Sequence, residues 1–263
     1  IGNIPELGSW NASVPLNCNG QGTWELSFHT CPETDTEIEY KYLVDNCGSI
    51  TWEPESNHVL NLSPTTETVN IEVHDVFRWN DAIQNCYTRS AFVDAIHSRS
   101  SEKKINYIST PKSNLECFFS CITPNIRHDH KLVLMGSCPE LGQWDPSKGI
   151  EMRDNEMPRF TASVQIARSS FPFEYKYAIV KPDGYVVWDI EANFFCPQPR
   201  NPEDGAKTVV CCNQFYVSPD KALFHGLGVY VPLFSLRTKE SCGIGQYTDI
   251  KPLVDLCNKM GSS

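Results

Sequence analysis

The sequence lacks any apolar run of the roughly 18–20 residues that a membrane-crossing helix needs. Its most apolar stretch, residues 229–234, is strand-sized. It has no initiator methionine and no signal-peptide pattern at Ile1. The opening residues read instead like the inside of a domain, so the chain is expected to be a piece of a longer protein. Positive charge is in short supply: 22 Lys and Arg stand against 32 Asp and Glu, for a net charge of −10. That balance argues against a nucleic-acid partner and against docking on an anionic membrane. A Cys-x2-Cys pair is missing, and Cys117-x3-Cys121 has no matching second half. On a strand those two thiols share a face but lie about 13 Å apart at ~3.3 Å per residue. His128-Asp129-His130 has no further ligands beside it and reads as a solvated loop, so no metal is expected.

What the chain has is enough apolar material for real cores. Of its 263 residues 40% are hydrophobic, including 13 Phe, 10 Tyr and 6 Trp, which excludes wholesale disorder. Twelve cysteines fall at irregular spacings. In a chain long enough to fold without staples, they read as reduced thiols of a cytoplasmic protein rather than as a disulfide framework. The adjacent Cys211 and Cys212 are expected to point to opposite faces of a strand.

An internal duplication organises the sequence. Residues 2–10, Gly-Asn-Ile-Pro-Glu-Leu-Gly-Ser-Trp, recur at 136–144 as Gly-Ser-Cys-Pro-Glu-Leu-Gly-Gln-Trp. Glu39-Tyr40-Lys41-Tyr42 recurs unchanged at Glu174-Tyr175-Lys176-Tyr177. Thr51-Trp52-Glu53-Pro54-Glu55-Ser56-Asn57 recurs as Val187-Trp188-Asp189-Ile190-Glu191-Ala192-Asn193. The offsets are 134, 135 and 136 residues, so the blocks are collinear with small loop insertions.

Each copy reads as antiparallel β. Residues 132–135 form a short apolar strand, while 24–28 and 160–166 alternate apolar and polar, with Trp24 expected in the core. Tyr40 and Tyr42 are predicted on one face, Glu39 and Lys41 on the other. Asp45-Asn46-Cys47-Gly48 and Pro182-Asp183-Gly184 are hairpin turns. Short strands broken by turns over about 100 residues predict a small β-sandwich. Copy one has only Ile1 ahead of Gly2, where copy two has about 30 residues, and is expected to lack its first strand. The predicted domains are 1–76, a linker at 77–105 with a short helix over 90–96, 106–219, and 220–263. In the last, residues 228–236 read as an apolar strand buried on both faces. Ile250, Leu253, Val254 and Cys257 then recur at helical spacing, capped by Thr248 or Asp249 and closed by Gly261. This reads as the first β-α unit of a parallel α/β domain.

Two indoles held rigidly on a β scaffold make an apolar platform. The polarised C–H groups on a glucose face are attracted to the negative face of an indole ring. Lys41 donates, and Asn57 both donates and accepts, as neighbouring sugar hydroxyls require. Trp10 and Trp52 could equally be core. Recurrence of the whole set as Trp144, Lys176, Trp188 and Asn193 favours a neutral-sugar site.

These motifs, Leu-Gly-x-Trp, Glu-Tyr-Lys-Tyr and Trp-Glu/Asp-x-x-x-Asn, resemble the family 20 carbohydrate-binding modules, the starch-binding domains of amylolytic enzymes. The resemblance implies two tandem immunoglobulin-like antiparallel β-sandwiches. It implies carbohydrate-binding roles for Trp10, Lys41, Trp52 and Asn57, and for Trp144, Lys176, Trp188 and Asn193. Glu53 and Asp189 are weaker candidates. The implied ligands are α-glucan polysaccharides and maltooligosaccharides, with cyclodextrin as an analogue and no cofactor. The second, tyrosine-built site of many members is not expected, because no Tyr lies between Trp10 and Trp24 or between Trp144 and Phe160. Residues 228–238 and Cys242-Gly243-Ile244-Gly245 resemble the start of a family 77 glycoside hydrolase, a (β/α)8 barrel with 4-α-glucanotransferase activity. Such a barrel needs about 250 residues. Glu53 with Glu55, and Asp189 with Glu191, are therefore not expected to be catalytic.

Overall fold

The computed structural model describes residues 1–20, 22–54, 56–77, 108, 115–123, 126, 129–156, 159–189, 192–200, 206–214 and 231–259. The chain divides into two compact units, Ile1–Asp220 and Lys221–Ser263. The first contains both copies of the repeat. Copy one runs through β1 (Asn17–Cys18), β2 (Trp24–Glu25), β3 (Thr36–Tyr40), β4 (Leu43–Asn46), β5 (Ser49–Trp52), β6 (His58–Leu62) and β7 (Val69–His74). Copy two runs through β8 (Leu115–Ile122), β9 (Lys131–Gly136), β10 (Ile150–Glu151), β11 (Arg153–Glu156), β12 (Arg159–Gln165), β13 (Phe173–Val180), β14 (Val186–Trp188), β15 (Phe194–Cys196) and β16 (Lys207–Asn213).

Copy two is a two-sheet sandwich. One sheet has the order β10-β9-β13-β14, with β15 also on β13. The other has the order β11-β12-β8-β16-β7. Period-two alternation sends Cys117, Phe119 and Cys121 of β8, Phe160 and Ala162 of β12, and Phe173, Tyr175, Tyr177 and Ile179 of β13 into one core. The hairpin turns form as the sequence predicts: Cys47 and Gly48 both take positive φ between β4 and β5, and Gly184 does so before β14.

Copy one is not a separate sandwich. Its last strand, β7, pairs in parallel with β16 of copy two, from Val69 opposite Lys207 to His74 opposite Cys212. β16 is also parallel to β8. The strand is thus hydrogen-bonded on both edges and covered on both faces. Val210 and Cys212 enter the copy-two core, while Val209 and Cys211 pack with Leu7, Ile38, Leu62 and Ile108 of the copy-one core. Cys211 and Cys212 therefore do face opposite ways. The all-antiparallel expectation gives way at this strand. Further ties between the copies run from Asn213 Nδ2 to Asp75 Oδ1 (2.9 Å), from Arg200 N to Glu72 Oε1 (2.8 Å), and from the Arg200 guanidinium to Glu25.

Eleven cysteines fall among the described residues, and all are free. Burial pushes the Cys121 and Cys211 thiols up to about 12, which keeps them protonated and inert.

Trp24 departs from expectation: it is 61% exposed. It lies on the two-residue β2, in a two-stranded sheet with β1, on the face away from the core. Phe160, at the corresponding place in copy two, is buried because β12 turns it into the core between the two sheets.

In the second unit, residues 231–236 are not a strand. Leu233–Ser235 forms a 3-10 turn instead. Pro232 has no N–H for a ladder, and no strand occurs among the described residues of this unit to pair with it. The predicted helix is present as α1 (Ile250–Lys259). Its start is held differently from the prediction: the N-cap is Gln246, whose backbone N–H donates to Asp249 Oδ2 at 2.8 Å. Asp249 also accepts from Thr238 Oγ1 and Ser241 Oγ, which hold its carboxyl below the usual range. The predicted linker helix and Gly261 lie outside the described residues.

The two-faced burial of β16 generates a prediction. Val209→Ala and Val210→Ala should each cost about 2 kcal/mol by the cavity left behind. By hydrogen exchange, the first should release amides mainly of copy one and the second mainly of copy two.

Candidate functional site

The Glu-Tyr-Lys-Tyr strand separates two environments by alternation. In copy two Tyr175 and Tyr177 are buried, whereas Glu174 is exposed and Lys176 half-buried on the outer face. In copy one Tyr40 and Tyr42 turn inward to Asp75, whose Oδ2 accepts from both hydroxyls at 2.6 and 3.0 Å. Burial, then the Asp75 charge, pushes the Tyr40 hydroxyl well above its ordinary range, so it stays a donor. Glu39 and Lys41 face outward.

A second element presents one tryptophan from the side. Each copy has a 3-10 turn, Pro5–Leu7 or Pro139–Trp144, with Pro at its start. The chain then takes three successive left-handed residues: Gly8, Ser9 and Trp10 (φ 82°, 49° and 59°), and Gly142, Gln143 and Trp144 (φ 79°, 53° and 66°). A bulky residue in this region is a genuine outlier, costing of order 1–3 kcal/mol. The loop tolerates it because its backbone is tied down: Ser9 N donates to Ile4 O at 3.0 Å and Trp10 N to Gly2 O at 2.7 Å. The same left-handed backbone is built in both copies, each time at a tryptophan. Trp10 is 39% exposed, and Trp144 lies over Val133, Met135 and Ala178 on the outer face of its sheet.

The third element is the hairpin after the lysine. Trp188 stands opposite Ala178 across the β13–β14 pair, and Trp52 stands opposite Leu43. Cross-strand neighbours share a face, so Trp188 lies on the same outer face as Lys176 and Trp144. Trp52 is 49% and Trp188 37% exposed. Asn57 and Asn193 follow and reach the first strand: the Asn57 amide donates to Glu39 Oε2 and the Asn193 amide to Glu174 Oε2, each at 2.8 Å. The four predicted residues of copy two thus gather on one outward-facing surface. Copy one repeats the tryptophan loop and the Asn57–Glu39 bond, but its Trp52 hairpin, β4–β5, is a two-stranded sheet of its own.

Glu53 and Asp189 do not belong to that surface. Both are buried, turned inward under the hairpin. Glu53 is 2.9 Å from His58 Nε2, and His58 Nδ1 is 3.6 Å from Asp75. His58 stacks on Tyr40, where copy two has Phe194 against Tyr175 and Tyr177. Burial under the hairpin also removes Glu53 and Asp189 as sugar ligands, and Glu55 and Glu191 lie outside the described residues. Sequence reasoning missed the outward-facing Phe195, 62% exposed opposite Glu174, where copy one has Val59. The register of β15 on β13 was the missing signal.

Residues 1–72 and 114–207 match the family model described as Starch binding domain. The chain belongs to the starch-binding domain family. It is 27% identical over 272 residues to 4-alpha-glucanotransferase DPE2 of Oryza sativa subsp. japonica, covering 97% of this chain and 28% of that protein. A shorter match, 56% identical over 36 residues, covers 14% of this chain and 7% of a 4-alpha-glucanotransferase of Chlamydia pneumoniae. The chain therefore spans little more than a quarter of the curated relative it matches at length. Among solved structures it is similar to the family 20 module of a maltotetraose-forming amylase from Pseudomonas saccharophila, 18% identical, covering 38% of this chain and 99% of that one (TM-score 0.31).

Glu140 anchors the copy-two tryptophan loop. Its carboxylate accepts from Ala167 N (2.9 Å) and Ser170 Oγ (3.0 Å). Burial acts to raise its pKa, but these hydrogen bonds win and hold it below the usual carboxylate range. A carboxylate depressed on folding contributes stability above its unfolded pKa and loses it as pH falls through the folded value. Acidification through and below the ordinary carboxylate range should therefore loosen this loop. Trp144 fluorescence should report the change, and Glu140→Gln should abolish its pH dependence.

Proposed function

We propose that this chain is the glucan-binding, non-catalytic N-terminal region of a 4-α-glucanotransferase. Its two sites are Trp10, Lys41, Trp52 and Asn57, and Trp144, Lys176, Trp188 and Asn193. In each, the two indoles stack on the apolar faces of glucose units of an α-1,4-glucan, while lysine and asparagine hydrogen-bond the hydroxyls at the ring edges. The observation that carries this reading is the duplication of a strained, outward tryptophan loop beside an exposed tryptophan hairpin. A core role gives no reason to build left-handed backbone twice under an indole that stays outside the main cores, exposed at Trp10 and half-buried on the outer face at Trp144.

The modules at 1–76 and 106–219 flank the shared strand, so a starch or glycogen particle, or a maltooligosaccharide long enough to span both sites, meets two binding faces on one body. The second binding event is then intramolecular, and avidity exceeds either affinity alone. The parent reaction transfers an α-1,4-glucan segment to an acceptor sugar with retention and without a cofactor. It needs a pair of carboxyl groups about 5 Å apart, supplied by a barrel that residues 220–263 begin. The names of the rice and chlamydial relatives support this assignment. We place the protein in the cytoplasm. Cys196 and Cys212 meet at 3.8 Å as free thiols, which suits a reducing compartment. The acidic net charge favours neither nucleic acid nor an anionic membrane as a partner.

Titration with β-cyclodextrin, followed by tryptophan fluorescence and calorimetry, tests the sites. Wild type should bind at two sites. Trp52→Ala and Trp188→Ala should each remove one, weakening that site by about tenfold or more. A folded wild-type chain that gives no response would sink the glucan reading.

A further inference from the structure

Each site depends on a residue that touches both of its halves. In copy one Asn3 N donates to the Glu39 carbonyl at 2.9 Å, and Glu39 N donates back to Asn3 Oδ1 at 3.0 Å. In copy two Ser137 N donates to the Glu174 carbonyl at 2.9 Å, and Glu174 N to Ser137 Oγ at 3.0 Å. The glycines just before, Gly2 and Gly136, lie so close that a Cβ would meet the Glu39 and Glu174 carbonyls at 2.6 and 2.7 Å. The backbone of this glutamate is thus where the tryptophan loop is fastened to the strand. Its side chain reaches the other way, to the asparagine that follows the second tryptophan, at 2.8 Å in both copies.

We propose that Glu39 and Glu174 are positioning residues of the two glucan sites: each joins the tryptophan loop to the tryptophan hairpin and sets the orientation of the site's asparagine amide. This rests on the glucan reading above. An ionised carboxylate only accepts, so it selects the NH2 end of the asparagine amide. The amide oxygen and the remaining N–H are then left for a ligand. The site so offers an acceptor beside a donor, matched to adjacent sugar hydroxyls that each both donate and accept. Without the carboxylate the amide is free to turn over and present the wrong pattern. The arrangement recurs although the flanking residues differ: Asn3 against Ser137, His58 against Phe194, Val59 against Phe195. The pairing is therefore tied to the asparagine rather than to its packing environment.

Glutamine is the informative substitution, because it keeps the shape and can donate to the asparagine oxygen. The test uses the whole chain in a Trp52→Ala background, so that only copy two binds, with Glu174→Gln, Asn193→Ala and both together. Calorimetry with β-cyclodextrin should show Glu174→Gln about tenfold weaker. Adding it to Asn193→Ala should cost nothing more, since it acts through that amide. Without ligand, the Asn193 side-chain amide NMR signals should move in Glu174→Gln while the thermal midpoint and the Trp144 fluorescence maximum stay in place. Glu174→Gln binding as tightly as its parent overturns the inference. So does a further loss in the Asn193→Ala background, which would make Glu174 a direct sugar contact, or a collapsed midpoint, which would make it merely structural. Absence of binding by the wild-type chain overturns the glucan reading itself and is read separately, before any variant.

Discussion

The first unit depends on a strand that has no solvent side. β16 is hydrogen-bonded in parallel on both edges and buried on both faces, so its alternate residues serve two cores. A one-residue slip of β16 would exchange the residues of both cores at once. Its composition follows: Val209, Val210, Cys211 and Cys212 are four compact apolar residues in a row, without the alternation of a half-exposed strand. The duplication is therefore not two beads on a string. The last strand of copy one is built into a sheet of copy two, which gives copy one a covering for Ile38, Leu62 and Ile108 that its own short ribbons do not supply.

The proposed binding surfaces follow from the same period-two rule. One strand per copy divides its side chains, tyrosines inward and Glu and Lys outward, so the rigidity of the core passes directly to the polar groups of the site. The inner layer differs between copies. Copy one carries Asp75, Glu53 and His58 among its tyrosines, while copy two uses Phe194 and a hydrogen bond from Gln214 to the Tyr175 hydroxyl at 2.9 Å. The outer layer differs less. A surface that stays alike over two unlike supports is what a shared ligand chemistry requires. The left-handed backbone under Trp10 and Trp144 belongs to the same logic. It costs stability locally, and hydrogen bonds within the loop hold it.

Much of this was legible beforehand. Collinear repeats marked the duplication, and Glu-Tyr-Lys-Tyr announced its own two faces, because alternation is a local property of an extended chain. Trp24 is exposed because burial is not local: the same alternating pattern turns Phe160 into a core between two sheets and leaves Trp24 on a two-stranded ribbon open to solvent. Residues 231–236 were misjudged for a related reason. An apolar run becomes a parallel strand only with partners on its edges, and Pro232 already withholds one donor.

By itself the sequence determined the local geometry of the sites: the duplicated tryptophan loops, the turns, the inward tyrosines and the outward lysines, all set by residue type and spacing within a few neighbours. Only the tertiary structure decided that the two copies share a strand, that Glu53 and Asp189 lie beneath the surface, and that Glu39 and Glu174 hold the asparagines. Each of these depends on which distant backbone supplies the hydrogen bonds, and spacing along the chain carries no record of that choice.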